Sequence, residues 1–119
     1  MAGFNRLFSP MSSQMIRIEN KKYYRGDGVY IGRPSLLGNP FKIGKDGTRQ
    51  DVIRKYGVWL WEQIKRRGAV YRELERLAAI ARQGDLTLIC WCKERDKNVE
   101  CHGDLVKRAI DWLNSNAGQ

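Results

Sequence analysis

The stretch of sequence that decides the fold is Leu86-Thr-Leu-Ile-Cys-Trp-Cys-Lys-Glu-Arg-Asp-Lys-Asn-Val-Glu-Cys-His-Gly-Asp104. It begins with a nearly continuous apolar run, which is typical of a strand buried at the centre of a parallel sheet. It ends where Asp104 precedes apolar residues with helical spacing, which predicts the start of a helix. The charged loop between them therefore follows the carboxyl end of a central strand, where α/β folds bind ligands.

This segment contains all three cysteines and the single histidine of the chain: Cys90, Cys92, Cys101 and His102. Cys90 is expected in the core, because free cysteine is among the most buried residue types. Cys92, Cys101 and His102 are candidate catalytic residues, because a helix N-terminus stabilises a thiolate and also attracts phosphate. The alternative is structural, with Cys92 ending the strand and His102 capping the helix.

Four nitrogen and sulfur ligands in one segment also suggest a zinc site. The spacing argues against zinc, because Cys-x-Cys and an adjacent Cys-His pair differ from the usual Cys-x₂-Cys knuckle. We therefore expect no metal, and the residues identify no cofactor.

The 119 residues carry a net charge of +9, and residues 16–83 hold sixteen basic and seven acidic side chains. A basic surface favours phosphate-bearing partners, although the same charge is also compatible with a solvated face that has no partner. No apolar run is long enough for a membrane span, so no membrane partner is expected. We recognise no export signal, and three cysteines fit no disulfide framework, so a cytoplasmic protein is expected.

A second informative stretch is the loop Arg33-Pro-Ser-Leu-Leu-Gly-Asn-Pro-Phe41, which follows a predicted strand at residues 28–32. Its prolines exclude a helix or a central strand, and Gly38 is expected to supply a positive φ. Arg33, Ser35 and Asn39 are candidate ligand-binding residues, because a rigid loop with a cation, a hydroxyl and an amide binds an anionic or planar ligand at little entropic cost. The alternative is that apolar residues of the loop only fill the core.

The remaining periodicity predicts a short strand at residues 15–18, two helices between Thr48 and Gly84, and a last helix after Asp104. Thr48-x-x-Asp51 resembles a capping box, and Gly68 is expected to end the first of these helices. The order of elements predicts a small α/β domain, a three-layer sandwich with a short, mostly parallel sheet. We expect a flexible arm over residues 1–14, one domain over 15–114 and a frayed tail over 115–119.

Two motifs resemble those of a known family. Gly32-Arg-Pro-Ser-x-x-Gly-Asn-Pro-Phe41 and Cys90-Trp-Cys…Cys101-His-Gly-Asp104, in this order, resemble a family of small bacterial and phage proteins known as domain of unknown function family 4326. The resemblance covers about residues 16–113 and implies no activity. It implies a site built from residues of both motifs, with Asp104 added to the ligand-binding set: Arg33, Ser35, Asn39, Cys92, Cys101, His102 and Asp104.

The residues leave three functions open. The first is a phosphate- or nucleotide-recognising protein, with or without enzymatic activity, in which Arg33 contacts the anion and Asn39 a base or sugar. Backbone N–H groups after His102 would hold phosphate, and Cys101 or His102 would act as acid, base or nucleophile. The second is a non-enzymatic nucleic-acid-binding protein that uses basic helices and exposed aromatic residues. The third is a phage factor that binds a host protein.

The first function depends on a geometric prediction. The strands that end at Gly32 and Cys92 should lie side by side and parallel, which brings both loops to the carboxyl edge of the sheet. Arg33, Asn39, Cys92, Cys101 and His102 would then line one concavity.

Overall fold

The computed structural model describes residues 15–91 and 100–116. These residues form three strands and three helices: β1 (Ile16–Asn20), β2 (Val29–Tyr30), α1 (Arg49–Arg66), α2 (Ala69–Gln83), β3 (Leu86–Cys90) and α3 (His102–Asn116). The predicted α/β domain is confirmed. Helix α3 runs two residues past the predicted domain end at 114. The predicted arm and the last three residues lie outside the described part of the chain.

The three strands form a parallel sheet in the order β1-β3-β2, with β3 in the centre as predicted. Leu86 pairs with Ile16, and Leu88 pairs with both Ile18 and Val29. Strand β2 is shorter than predicted, although the Ile31 N–H still donates to the Ile89 carbonyl oxygen at 2.8 Å. The predicted parallel neighbours β2 and β3 are therefore confirmed.

The two faces of β3 differ in burial. Leu86, Leu88 and Cys90 belong to one core that includes buried residues from each of the three helices. Thr87 and Ile89, on the opposite face, are only half-buried. The layer on that face is the loop at residues 21–28, whose Gly28 lies so close that an added Cβ would be 2.8 Å from Ile89 Cδ1. The apolar run therefore predicted the position of β3 correctly but overstated the burial of its second face.

Helix α1 begins with the predicted capping box. The Asp51 N–H donates to Thr48 Oγ1 at 3.1 Å, and the Thr48 N–H donates to Asp51 Oδ2 at 2.9 Å. The helix ends at Arg67 in a left-handed conformation with φ 57°, whereas Gly68 is the N-cap of α2. The expectation that Gly68 ends α1 is wrong, because Arg67 is the C-cap of α1 and Gly68 serves as the N-cap of α2.

The buried side chains of the helices follow the predicted apolar stripes. They include Tyr56, Leu60, Leu74, Leu77, Val106 and Ile110, each at most 3% exposed. Helices α2 and α3 contact the sheet, and α1 contacts both helices. None of the described helices combines the length and apolar character that a membrane span requires.

Candidate functional site

The loop after β2 folds back on itself in two successive turns. The Ser35 N–H donates to the Gly32 carbonyl oxygen at 2.8 Å, and the Gly38 N–H donates to that of Ser35 at 3.0 Å. A Cβ added at Gly38 would lie 2.9 Å from the Arg33 Cα and backbone nitrogen. Gly38 is not among the residues with positive φ, so the predicted reason for this glycine is wrong. The close approach of two backbone segments requires it instead.

Arg33 and Asn39 both hold the loop in place. Arg33 Nη1 donates to the carbonyl oxygens of Asn39 at 3.0 Å and Phe41 at 3.5 Å. The Asn39 side-chain oxygen accepts from the Phe41 N–H at 2.9 Å, and its amide nitrogen donates to the Val52 carbonyl oxygen of α1 at 3.2 Å. These two predicted ligand-binding residues are therefore oriented by the loop and by α1.

The two loop leucines have different environments. Leu37 is 1% exposed, and its carbonyl oxygen accepts from the Tyr56 hydroxyl of α1 at 2.7 Å. Leu36 is 52% exposed. The interpretation that the loop fills the core thus holds for Leu37, while Arg33 and Asn39 line a cavity.

Ser35 lies within the turns and does not line that cavity. Its hydroxyl oxygen is buried and has no hydrogen-bond partner in residues 15–91 and 100–116. The predicted contact between this hydroxyl and a ligand has no counterpart in the geometry.

His102 begins α3 and is 4% exposed. Its Nε2 lies 2.8 Å from the Ile31 carbonyl oxygen, which can only accept, so Nε2 carries the hydrogen. Burial lowers the pKa of His102, and the charge of Arg33 lowers it further, against the raising effects of the Ile31 hydrogen bond and of Cys101 and Asp104. The imidazole is therefore neutral at pH 7, with its lone pair on Nδ1.

The Cys101 side chain points in another direction from His102. Cys101 and Cys90 are both fully buried, and their sulfurs lie 3.8 Å apart. The core position predicted for Cys90 is confirmed. The prediction that Cys101 lines the shared concavity is wrong, because its thiol packs inward against Cys90, and this position supports the structural alternative. Cys92 lies outside the described residues.

Asp104 caps the start of α3. Its Oδ2 accepts from the Cys101 N–H at 2.7 Å, and its own N–H donates to the Cys101 carbonyl oxygen at 3.0 Å. The interpretation that His102 caps this helix is therefore wrong. A carboxylate at a helix N-terminus already supplies the negative charge favoured there, which argues against the predicted phosphate contact after His102.

A cavity of about 260 Å³ lies at the carboxyl edge of the sheet. It is bounded by the end of β2, the loop that follows it, the start of α1, the residue after β3 and the first residue of α3. Of the predicted site, the structure brings together Arg33, Asn39 and His102. The other lining residues are Tyr30, Gly32, Phe41, Ile43, Arg49, Val52, Ile53 and Trp91.

Two of these residues change the chemistry of the site and were missed. Arg49 is the first residue of α1, and its Nη2 donates to the Glu100 carbonyl oxygen at 3.3 Å. Trp91 follows β3 and is 57% exposed. Both positions could have been found from the sequence, since Arg49 follows the capping Thr48 and Trp91 lies between two cysteines.

The described residues contain no group of three histidine, cysteine or acidic side chains placed to bind one metal ion. The zinc set considered and disfavoured from the sequence includes Cys92, so this set is not tested by residues 15–91 and 100–116.

The chain belongs to the family described as Domain of unknown function (DUF4326), whose model matches residues 16–112. The resemblance inferred from two motifs is thereby confirmed. All residues that line the cavity lie within the matched range. No curated protein and no solved structure matches the chain.

Proposed function

We propose that this member of the DUF4326 family binds a small phosphate-bearing ligand, a mononucleotide, in the cavity at the carboxyl edge of its sheet. One observation carries the proposal: Arg33 and Arg49, from two different elements, line one cavity of about 260 Å³ with aromatic and aliphatic walls. Guanidinium groups bind phosphate with paired hydrogen bonds, and small-ligand sites combine apolar walls with a few oriented polar groups.

The charge of Arg33 is available for an anion. Its guanidinium donates to two backbone carbonyl oxygens, which fix its position without neutralising it. Arg33 forms no ion pair with another residue of the described ranges. A phosphate is therefore a better partner for this group than a neutral ligand.

The walls of the cavity favour a planar group. Trp91, Phe41 and Tyr30 offer aromatic surfaces on which a base can stack. The volume of about 260 Å³ lies just below the range of roughly 300–1,000 Å³ for drug-sized sites, which favours one nucleotide over two.

His102 is the residue that a reaction in this cavity would use. A neutral imidazole can accept a proton near pH 7. Cys101 supplies no nucleophile here because its thiol is buried. The same cavity would therefore serve this protein either as a binding protein or as an enzyme that acts on nucleotides. The two functions differ in whether His102 transfers a proton.

We propose a cytoplasmic location; the free thiols of neighbouring Cys90 and Cys101 are compatible with a reducing compartment. The phage source suggested by the family resemblance stays a prediction.

Calorimetric titration with nucleoside monophosphates, the matching nucleosides and inorganic phosphate tests the proposal. We expect the nucleotides to bind more tightly than the nucleosides. Arg33→Ala should weaken nucleotide binding by about 1.5–3 kcal/mol, the value of a hydrogen bond to a charged group. Arg54→Ala is the matched control, because Arg54 is an exposed arginine of α1 outside this cavity.

Arg33→Lys separates charge from loop structure, because it keeps the cation and loses the paired donors. Equal affinity of the wild type and Arg33→Ala for every nucleotide would refute the proposal.

A further inference from the structure

The far end of α1 carries a second concave surface of about 620 Å³, which we call the tryptophan surface. It includes Trp61, Trp112 and Tyr71 together with Lys65, Arg67 and Arg82. Trp61 lies twelve residues after Arg49 in the same helix, about 18 Å along its axis. The two cavities share no lining residue, so this surface is separate from the proposed nucleotide site.

Two tryptophans dominate this surface. Trp61 of α1 is 46% exposed and Trp112 of α3 is 44% exposed. Their rings contact edge to face, with centroids 5.4 Å apart and planes at 84°. Such a pair holds each ring in a preferred orientation while leaving aromatic surface exposed to solvent.

Cations line the same surface as the tryptophans. The Arg67 guanidinium lies 4.9 Å from the centre of the Tyr71 ring. Arg82 Nη1 donates to the neutral Asn114 Oδ1 at 2.7 Å. Lys65 pairs with Glu62 at 3.1 Å, but both side chains are about half exposed, so water screens this pair.

Glu75 is the one carboxylate among the residues that line the cavity, against three cations. Arg67 and Arg82 form no ion pair within the described residues. The lining of the tryptophan surface is therefore positive, in the part of the chain that carries most of the net charge of +9.

We propose that the tryptophan surface binds single-stranded nucleic acid, with a base stacked on Trp61, whose ring Trp112 holds in place, and backbone phosphates on Lys65, Arg67 and Arg82. Exposed aromatic rings beside a cationic groove are the combination that such strands use. A duplex keeps the faces of its bases stacked inside, so it offers no base to stack on a tryptophan. A second copy of the chain is a poor occupant, because two positive surfaces would face each other.

Fluorescence anisotropy with labelled oligothymidylate, about 20 nucleotides long, tests the proposal at two salt concentrations. One stacked base accounts for roughly a fivefold or greater change in affinity, so we expect Trp61→Ala to weaken binding by at least about fivefold. Trp61→Phe keeps an aromatic ring and should recover most of the affinity. Val58→Ala removes another exposed apolar side chain of α1 and is the control.

Two variants that each remove one positive charge complete the experiment. Arg67→Gln should weaken binding and reduce its salt dependence by about one phosphate contact, whereas Arg76→Gln, which removes the same charge from an exposed position outside the cavity, should not. Equal affinities for the wild type, Trp61→Ala and Trp61→Phe would overturn the proposal. So would a concentration-dependent dimer that Trp61→Ala abolishes, with no binding of oligothymidylate.

The two proposals fail separately. Arg33→Ala should leave binding to the tryptophan surface unchanged, and Trp61→Ala should leave mononucleotide titrations unchanged. If Arg33→Ala weakens oligothymidylate binding and Trp61→Ala does not, the strand occupies the first cavity, and the proposal that it binds the tryptophan surface is refuted.

Discussion

His102 should make the free energy of unfolding depend on pH once the pH falls below the ordinary histidine pKa of 6.5. Burial lowers its pKa in the folded state, whereas an unfolded chain restores the ordinary value of 6.5. As the pH falls below that value, the unfolded state binds a proton that the folded state does not bind. Stability present above pH 6.5 is therefore lost as the pH falls toward the lowered folded pKa.

The magnitude follows from one proton. A group that is charged in the unfolded state and neutral in the folded state changes stability by about 1.4 kcal/mol per pH unit. Between pH 7.5 and pH 5.5 the loss should therefore be at most about 1.4 kcal/mol, because half of this interval lies above the unfolded pKa. Hydrogen bonds with Thr48 also lower the pKa of Asp51 from 3.8. Protonation of this carboxylate therefore reduces the free energy of unfolding only at a more acidic pH than the interval used for His102.

Urea unfolding of the wild type and of His102→Gln at the two pH values measures this loss. Glutamine does not titrate, and its side-chain amide can still donate to the Ile31 carbonyl oxygen. We expect the wild type to lose stability and His102→Gln to change little. Because the chain has one histidine, a proton NMR titration gives its pKa directly. A pKa at or above 6.5, or the same pH dependence in both proteins, would refute the reasoning.

Two further predictions concern the loop that shapes the cavity. Tyr56→Phe removes the hydroxyl that donates to the buried Leu37 carbonyl oxygen, and we expect urea unfolding to show a loss of about 1–3 kcal/mol; unchanged stability would contradict this hydrogen bond. Gly38→Ala places a Cβ 2.9 Å from the Arg33 backbone, and it should cost roughly 1–3 kcal/mol. In contrast, Gly84→Ala adds a Cβ with no atom within 4 Å and is the control; equal effects of the two alanines would disprove the close approach.

Patterns that depend on local chemistry and on sheet topology were predictable. The apolar run at residues 86–90 and the Thr48-x-x-Asp51 capping box each specify an element by short-range rules. Parallel neighbours then place the residues after β2 and β3 at one edge, and this rule alone predicts that Arg33, Asn39 and His102 lie together. The long separation of these residues in the sequence does not weaken this prediction, because the parallel pairing of β2 and β3 determines which edge of the sheet each loop occupies.

The directions of side chains at that edge could not be predicted. Cys101 and His102 are adjacent where a loop becomes a helix, and neither the period of a strand nor that of a helix applies across that junction. Packing decides the outcome: an added Cβ at Gly103 would lie 2.9 Å from Ile18 Cγ2 and 3.4 Å from Ile31 Cδ1, so this helix start fits tightly against the sheet. The thiol then packs inward and the imidazole reaches the Ile31 carbonyl oxygen.

The two cavities differ in how firmly their walls are fixed. Around the first, hydrogen bonds join different elements: Asn39 to Val52 of α1, Tyr56 of α1 to Leu37, and His102 of α3 to Ile31. Walls fixed in this way are formed before a ligand arrives, so little ordering cost is paid on binding and a ligand of the wrong shape is excluded.

The tryptophan surface consists of side chains on three helices, with one edge-to-face ring pair and flexible cations at its rim. Such side chains can adjust, and every base has a face that stacks. The first cavity should therefore distinguish sharply among nucleotides. Oligonucleotides of different sequence but equal length should instead bind the tryptophan surface with similar affinities, because phosphates and stacking carry no sequence code.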